Sequence, residues 1–229
     1  MRKLELLGMT LRDYSAKESL RLVGQYLNNA KLDTICFLST DTLLNTRENE
    51  NLKLWLETMD LTIPVSVEIL NAAGITNRSR LKEVENGVFY REFIKRLSNE
   101  KRTMFILTET QSVLDASLEY IEKYASGIQV VGTYVFESLS GDDDSVINDI
   151  NGAAPDIVLS RLASLKQEQF VFENKNKINA KIWVALKDTF TAKENTKGLK
   201  FEKLSKLIEN TIFRRMVSKY ESGQGKEDL

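Results

Sequence analysis

Histidine is absent from all 229 residues, cysteine occurs once and proline twice. The lack of histidine removes Ser/His and Cys/His catalysis, imidazole general bases and most zinc sites together. Any acid–base chemistry falls to carboxylates, lysines or hydroxyls. The single thiol, Cys36, sits in the apolar run TICFLS, so it reads as a small core residue of a reduced compartment and not as a disulfide or metal ligand. No apolar run approaches the roughly 18 to 20 residues of a membrane span, and the start MRKLELLGMTLRDYS lacks the apolar core and cleavage site of a signal peptide. A cytoplasmic protein is expected. Neither sign of charge dominates, with 32 lysines and arginines against 33 acidic residues, so no global field favours nucleic acid and no nucleic-acid partner is expected. No dense carboxylate set is visible in the sequence, which predicts neither a metal site nor a cofactor.

The length suits one full α/β domain with a short appendage and is too small for two ordinary domains and a linker. TICFLS (34–39), TMFILT (103–108), IQVVGTYV (128–135), DIVLS (156–160) and KIWVAL (181–186) read as strands; the short uninterrupted runs suit a sheet buried on both faces. Between them, SVLDASLEYIEKYAS (112–126) sets Val113, Leu114, Ser117, Leu118, Ile121 and Tyr124 at helical spacing. The alternation predicts an α/β fold, a single domain with a mostly parallel Rossmann-like sheet, flanking helices and right-handed crossovers. Asp142, Asp143 and Asp144 read as a solvated helix start, because adjacent carboxylates on a helix point in different directions. TAKENTKGLK (191–200) is polar and reads as a loop. Beyond it, FEKLSKLIENTIFRRMVSKY predicts an amphipathic helix with Phe201, Leu204, Leu207, Ile208, Thr211, Ile212 and Met216 on its apolar stripe. The expected organisation is an α/β domain over 1–192, a helical appendage over 193–220 and a disordered tail over 221–229.

The segment VINDINGAAPDIVLSRLASLKQEQFVFENKNKINAKIWVALKDTF resembles part of the WecG/TagA/CpsF-type glycosyltransferases. There a Pro-Asp-Ile strand leads into a Gly-x-Pro-Lys-Gln-Glu loop and then a Gly-Val-Gly-Gly-x-Phe-Asp strand end. Upstream, LLNTRENENLKLWLETMDLTIP is similar to the approach to the family's Pro-Asp-Gly motif, and IQVVGTYVFESLSGDDDSVINDIN to its Gly-x-x-x-Gly-Tyr-Phe connection. The resemblance covers most of residues 1–192. It implies transfer of an N-acetylhexosamine from a UDP-sugar to a polyprenyl-diphosphate-linked sugar, in bacterial teichoic acid, capsule or exopolysaccharide biosynthesis. It also implies a peripheral protein at the inner face of the cell membrane, whose C-terminal appendage supplies arginines to the diphosphate.

Position by position, the chain departs from that pattern. The family's catalytic aspartate falls at Val65, followed by Ser66, and valine accepts no proton from an attacking hydroxyl. The asparagine of the early strand end falls near Ser39, with Thr40 and Asp41 following. Thr108 and Glu109 replace a glycine pair, so backbone amides that could approach a diphosphate now carry side chains, one of them anionic. Ala163 and Leu165 replace the loop's glycine and proline, and Lys166, Gln167 and Glu168 stand as in the family. Lys187 and Asp188 replace two more glycines, and Thr191 the last aspartate.

Lys166 is then expected to face phosphate, Gln167 to hydrogen-bond nucleotide or sugar, and Glu168 to orient the loop; the alternative makes all three first-turn residues of a surface helix. Arg214 and Arg215, with Lys203, Lys206 and Lys219, either grip a diphosphate or headgroup or form a solvated basic face. Glu68, Asp188, Asp60 and Asp41 are the carboxylates open to replace the missing base. Two functions follow. One is an altered glycosyltransferase. The other is a catalytically silent relative that binds, as the partner of an active glycosyltransferase. The first needs convergent polar groups around a donor pocket near Gln167, and the second has that pocket filled by the side chains that replaced glycine.

Overall fold

The computed structural model describes residues 2–138, 143–163, 165–187, 210–220 and 222. The chain opens with a hairpin, β1 (Arg2–Leu6) and β2 (Met9–Asp13), in which Leu6 faces Met9 across the turn. Leu7 and Gly8 at its tip both have positive φ, the combination a two-residue type I′ turn requires. A side chain on Gly8 would also run into Tyr220. Alternation in β2 buries Met9, Leu11 and Asp13 and exposes Thr10 and Arg12.

From there the order is α1 (Ala16–Tyr26), β3 (Asp33–Leu38), α2 (Thr40–Asn45), α3 (Glu50–Thr58), β4 (Leu61–Pro64), α4 (Val67–Ala72), α5 (Arg78–Glu85) and α6 (Val88–Asn99). It continues with β5 (Thr103–Thr108), α7 (Gln111–Tyr124), β6 (Gln129–Val135), α8 (Asp143–Ala153), β7 (Ile157–Arg161), α9 (Lys166–Asn174) and β8 (Ile182–Ala185). The described strands β3 to β8 form one parallel sheet in the order β4-β3-β8-β7-β5-β6. The five strands predicted from apolar runs appear within a residue or so of their expected bounds. The hairpin and the four-residue β4 were not among them.

Every residue of β3, β4, β7 and β8 is buried, as a sheet covered on both faces requires. On one face, Leu52, Trp55, Val146, Phe170 and the hairpin leucines pack around Trp183, whose ring stacks on Phe170 at 5.5 Å. On the other, α1, α6 and α7 cover Ile35, Ile106, Ile157 and Ile182 with Val23, Phe93, Leu97, Leu114 and Ile121. Burying each such side chain contributes roughly 1.5–3 kcal/mol. Tyr124, placed on the buried stripe of α7 by spacing alone, is instead 47% exposed at the helix end.

Residues 210–220 form a helix, and its phase corrects the expected stripe. Phe213 and Val217, four apart, enter the core, with Met216 packed beside them, while Thr211 and Ile212 face outward. The sequence pattern was dominated by residues 201–208, which lie outside the described residues, and the docking surface offered by the first face selects the neighbouring stripe. Phe213 has no exposed surface. Phe213→Ala should therefore cost about 3–5 kcal/mol in urea unfolding; a loss under about 1 kcal/mol would mean the helix is not docked in this way.

Candidate functional site

In an open parallel sheet, ligands bind beyond the carboxyl ends of the strands, where neighbouring connections leave in opposite directions. Here that place lies between β5 and β7. The α7 connection carries the chain from β5 outward to β6 over one face, and α9 carries it from β7 inward to β8 over the other. Glu109, next after β5, and Lys166, first in α9, meet there.

Their side chains form an ion pair at 2.9 Å, and the Lys166 ammonium also lies 4.1 Å from the centre of the Phe136 ring. One Glu109 oxygen takes this bond, and the other is buried with no hydrogen-bond partner among the described residues. Glu109, where the resemblance implies a glycine, thus places a carboxylate at the switch point itself. Glu109 is separated from Lys166 by 57 residues, so the pairing was not legible beforehand.

Gln167 and Glu168 are not surface residues: they are 3% and 0% exposed. Ser160 Oγ donates to Gln167 Oε1 at 3.2 Å, and Gln167 Nε2 approaches Glu168 Oε1 at 3.4 Å. Glu168 Oε2 accepts from the Leu165 backbone N–H at 2.8 Å, the reciprocal half of a helix-capping arrangement. Leu165 itself holds φ 76° and ψ −50°, a strained conformation for a residue with a side chain. A proline, whose ring fixes φ near −65°, is excluded from this turn. The path of the loop is therefore one that a Gly-x-Pro sequence does not take.

The other candidates are also engaged. Ser39 Oγ caps α2, accepting from Thr42 N–H at 3.0 Å and contacting Thr42 Oγ1 at 2.8 Å. Asp41 pairs with Lys187 at 2.9 Å, and Glu68 with Arg214 at 3.7 Å. Arg215 is exposed on the terminal helix. Val65 is half-buried, donates its N–H to Leu38 and offers no acid or base. The structure removes Asp60 as a replacement base: it precedes β4, at the opposite edge of the sheet from the strand ends. There it bonds Thr34 and Lys175; burial opposes its ionisation, but these bonds prevail and hold its carboxyl below the usual range. Asp188 and Thr191 lie outside the described residues.

A cleft of about 250 Å³ opens elsewhere, lined by Asp13, Ser15, Glu18, Asn77, Ser79, Arg80 and Glu83. Arg80 is buried there and donates twice to Asp13, at 3.0 and 2.8 Å. Three carboxylates against one guanidinium is the wrong charge for a diphosphate, and neither Lys166 nor Gln167 reaches the cleft. Among the described residues no group of three or more potential ligands converges to hold a metal.

The family model of the glycosyl transferase WecG/TagA/CpsF family matches residues 4–193. The chain belongs to this family. No curated protein matches it. Membership supports a role in polysaccharide biosynthesis, with use of a UDP-sugar and a lipid-linked acceptor as the activity of the family. No described helix is long and apolar enough to cross a membrane.

Burial without a nearby cation pushes the Glu168 carboxyl up from 4.5 to about 7, against the bonds from Leu165 and Gln167 that favour its charge. Burial, and then Glu168, likewise raise the Cys36 thiol, leaving it unreactive. Below pH 4.5 both folded and unfolded chains hold the Glu168 proton, and above about 7 neither does. Between those limits the folded state binds more protons, so this group's contribution to stability falls as pH rises, by on the order of 3 kcal/mol. Glu168→Gln should remove that slope; urea unfolding of both proteins at pH 5 and pH 7.5 checks it, and identical pH dependence would contradict the assignment.

Proposed function

We propose that this chain is a catalytically silent member of the WecG/TagA/CpsF family, retained in bacterial surface-polysaccharide biosynthesis as the binding partner of an active glycosyltransferase. The observation that carries this reading is the content of the switch-point crevice. Where a donor's diphosphate would have to approach backbone amides, the chain has its own carboxylate, already paired with Lys166. The reacting side is equally spent. Val65 stands at the position of the family's aspartate, and Asp41 and Glu68, the described carboxylates at these strand ends that could substitute, are each bridged to a cation.

The exposed arginines of the terminal helix favour peripheral contact with anionic headgroups at the inner face of the membrane, a role that needs no turnover. A second reading, an altered but active glycosyltransferase, is favoured by Lys166, Gln167 and Glu168 standing as in the family's loop. The burial of Gln167 and Glu168 argues that they hold the loop and do not face a ligand.

Isothermal titration with UDP and UDP-N-acetylhexosamines separates the two. The silent reading expects no saturable heat at millimolar nucleotide and no sugar transfer to a lipid-linked acceptor. Saturable binding that weakens in Lys166→Ala and Gln167→Ala would overturn it and establish a working donor site.

A further inference from the structure

We propose that Glu109 is a built-in stand-in for a phosphate, and that its carboxylate is the feature that excludes phosphate-bearing ligands from Lys166. The proposal rests on the silent reading above and names the residue responsible for it.

The crevice has the ingredients of an anion position. Thr110 caps the N-terminus of the 14-residue α7, and Lys166 begins α9, so the positive ends of two helices lie beside the lysine ammonium. The Phe136 ring also holds that ammonium, 4.1 Å from its centre. What occupies the position is Glu109 Oε1, at the 2.9 Å spacing of a charge-assisted bond.

The ion pair of Glu109 with Lys166 contributes little to the stability of the fold, and a carboxylate just ahead of α7 gains only modestly from the helix end. The pair is about one-third exposed on the glutamate side and 41% exposed on the lysine side, the setting in which ion pairs contribute little. Its second oxygen is buried with no hydrogen-bond partner among the described residues, which is unfavourable for a carboxylate. A smaller residue would avoid that cost. The carboxylate also leaves no charge for a ligand to answer: a phosphate arriving at Lys166 meets an ammonium already neutralised and an anion within contact distance. Exclusion thus follows from occupancy and like-charge repulsion together, while the helix ends and Lys166 remain in place beneath.

Removing the carboxylate should therefore expose a latent site. Isothermal titration of the full chain with inorganic pyrophosphate and with UDP, at low salt, should give no saturable binding for the native protein. Glu109→Ala should bind both at least tenfold more tightly than the native detection limit, with the gain weakened by added salt and abolished in Glu109→Ala/Lys166→Ala. Glu109→Gln, which keeps the shape and removes the charge, should show part of the gain, and serves should the alanine variant fold poorly. If neither variant gains affinity while the native chain also fails to bind, Glu109 is not the excluding group, and the silent reading stands without it. If the native chain binds and Glu109→Ala is no better, both are overturned.

Discussion

A parallel sheet buried on both faces leaves its polar chemistry one place to go. With β3, β4, β7 and β8 wholly inside, the polar groups that this sheet can offer a ligand lie at its strand ends. The crossovers on opposite faces then open the crevice between β5 and β7 as a by-product of covering the sheet. The core and the crevice are set by different residues of the same strands. Substitutions at the ends can remodel the crevice while Ile106, Ile157, Trp183 and their neighbours continue to specify the fold.

The turn from β7 into α9 shows how such remodelling is held in place. Leu165 occupies a conformation costing of order 1–3 kcal/mol for a residue with a Cβ. Glu168 offsets part of this by accepting its N–H, and Gln167 links the same cluster to Ser160 on the strand. Glu168 in turn is short of compensation, since burial outweighs its neutral donors and no cation among the described residues pairs with it, which pushes its carboxyl up to about 7. The three residues that match the family's loop are thus divided between two tasks: Lys166 faces the crevice, and its two successors are consumed beneath it.

Much of this fold was legible because the period and length of apolar runs report burial directly. TICFLS and TMFILT gave strands at nearly their final bounds. The hairpin was legible in principle, since LELLGMTLRD alternates around a Leu-Gly turn, but its tip needs a leucine at positive φ, which composition rules do not favour. The strand LTIP is too short for periodicity to mark, and its place is set by pairing with β3. The phase of the terminal helix failed for a related reason: Phe213 and Val217 were chosen by the surface they dock on, not by the hydrophobicity of the whole segment. At the strand ends, the resemblance implied which of the family's glycines this chain lacks. It did not reveal that Glu109 would find Lys166, or Lys187 find Asp41, because such pairs depend on the order of strands in the sheet.

Those pairs also show that the side chains at the strand ends are matched in charge. Side chains set at an exposed edge only because the fold tolerates them would have no reason to match in charge. Glu109 and Lys187 instead each meet an opposite charge close to 2.9 Å, one a residue of the family's loop and the other a candidate base. Neither pair contributes much to stability at its exposure. Their effect is on the field: the positive loop residue and the negative strand-end residue, each a potential handle for substrate, are neutralised within the chain. Among the described residues, Lys166 and Glu109, and Lys187 and Asp41, are thus paired at this edge, and a diphosphate arriving there would compete with bonds the chain already makes.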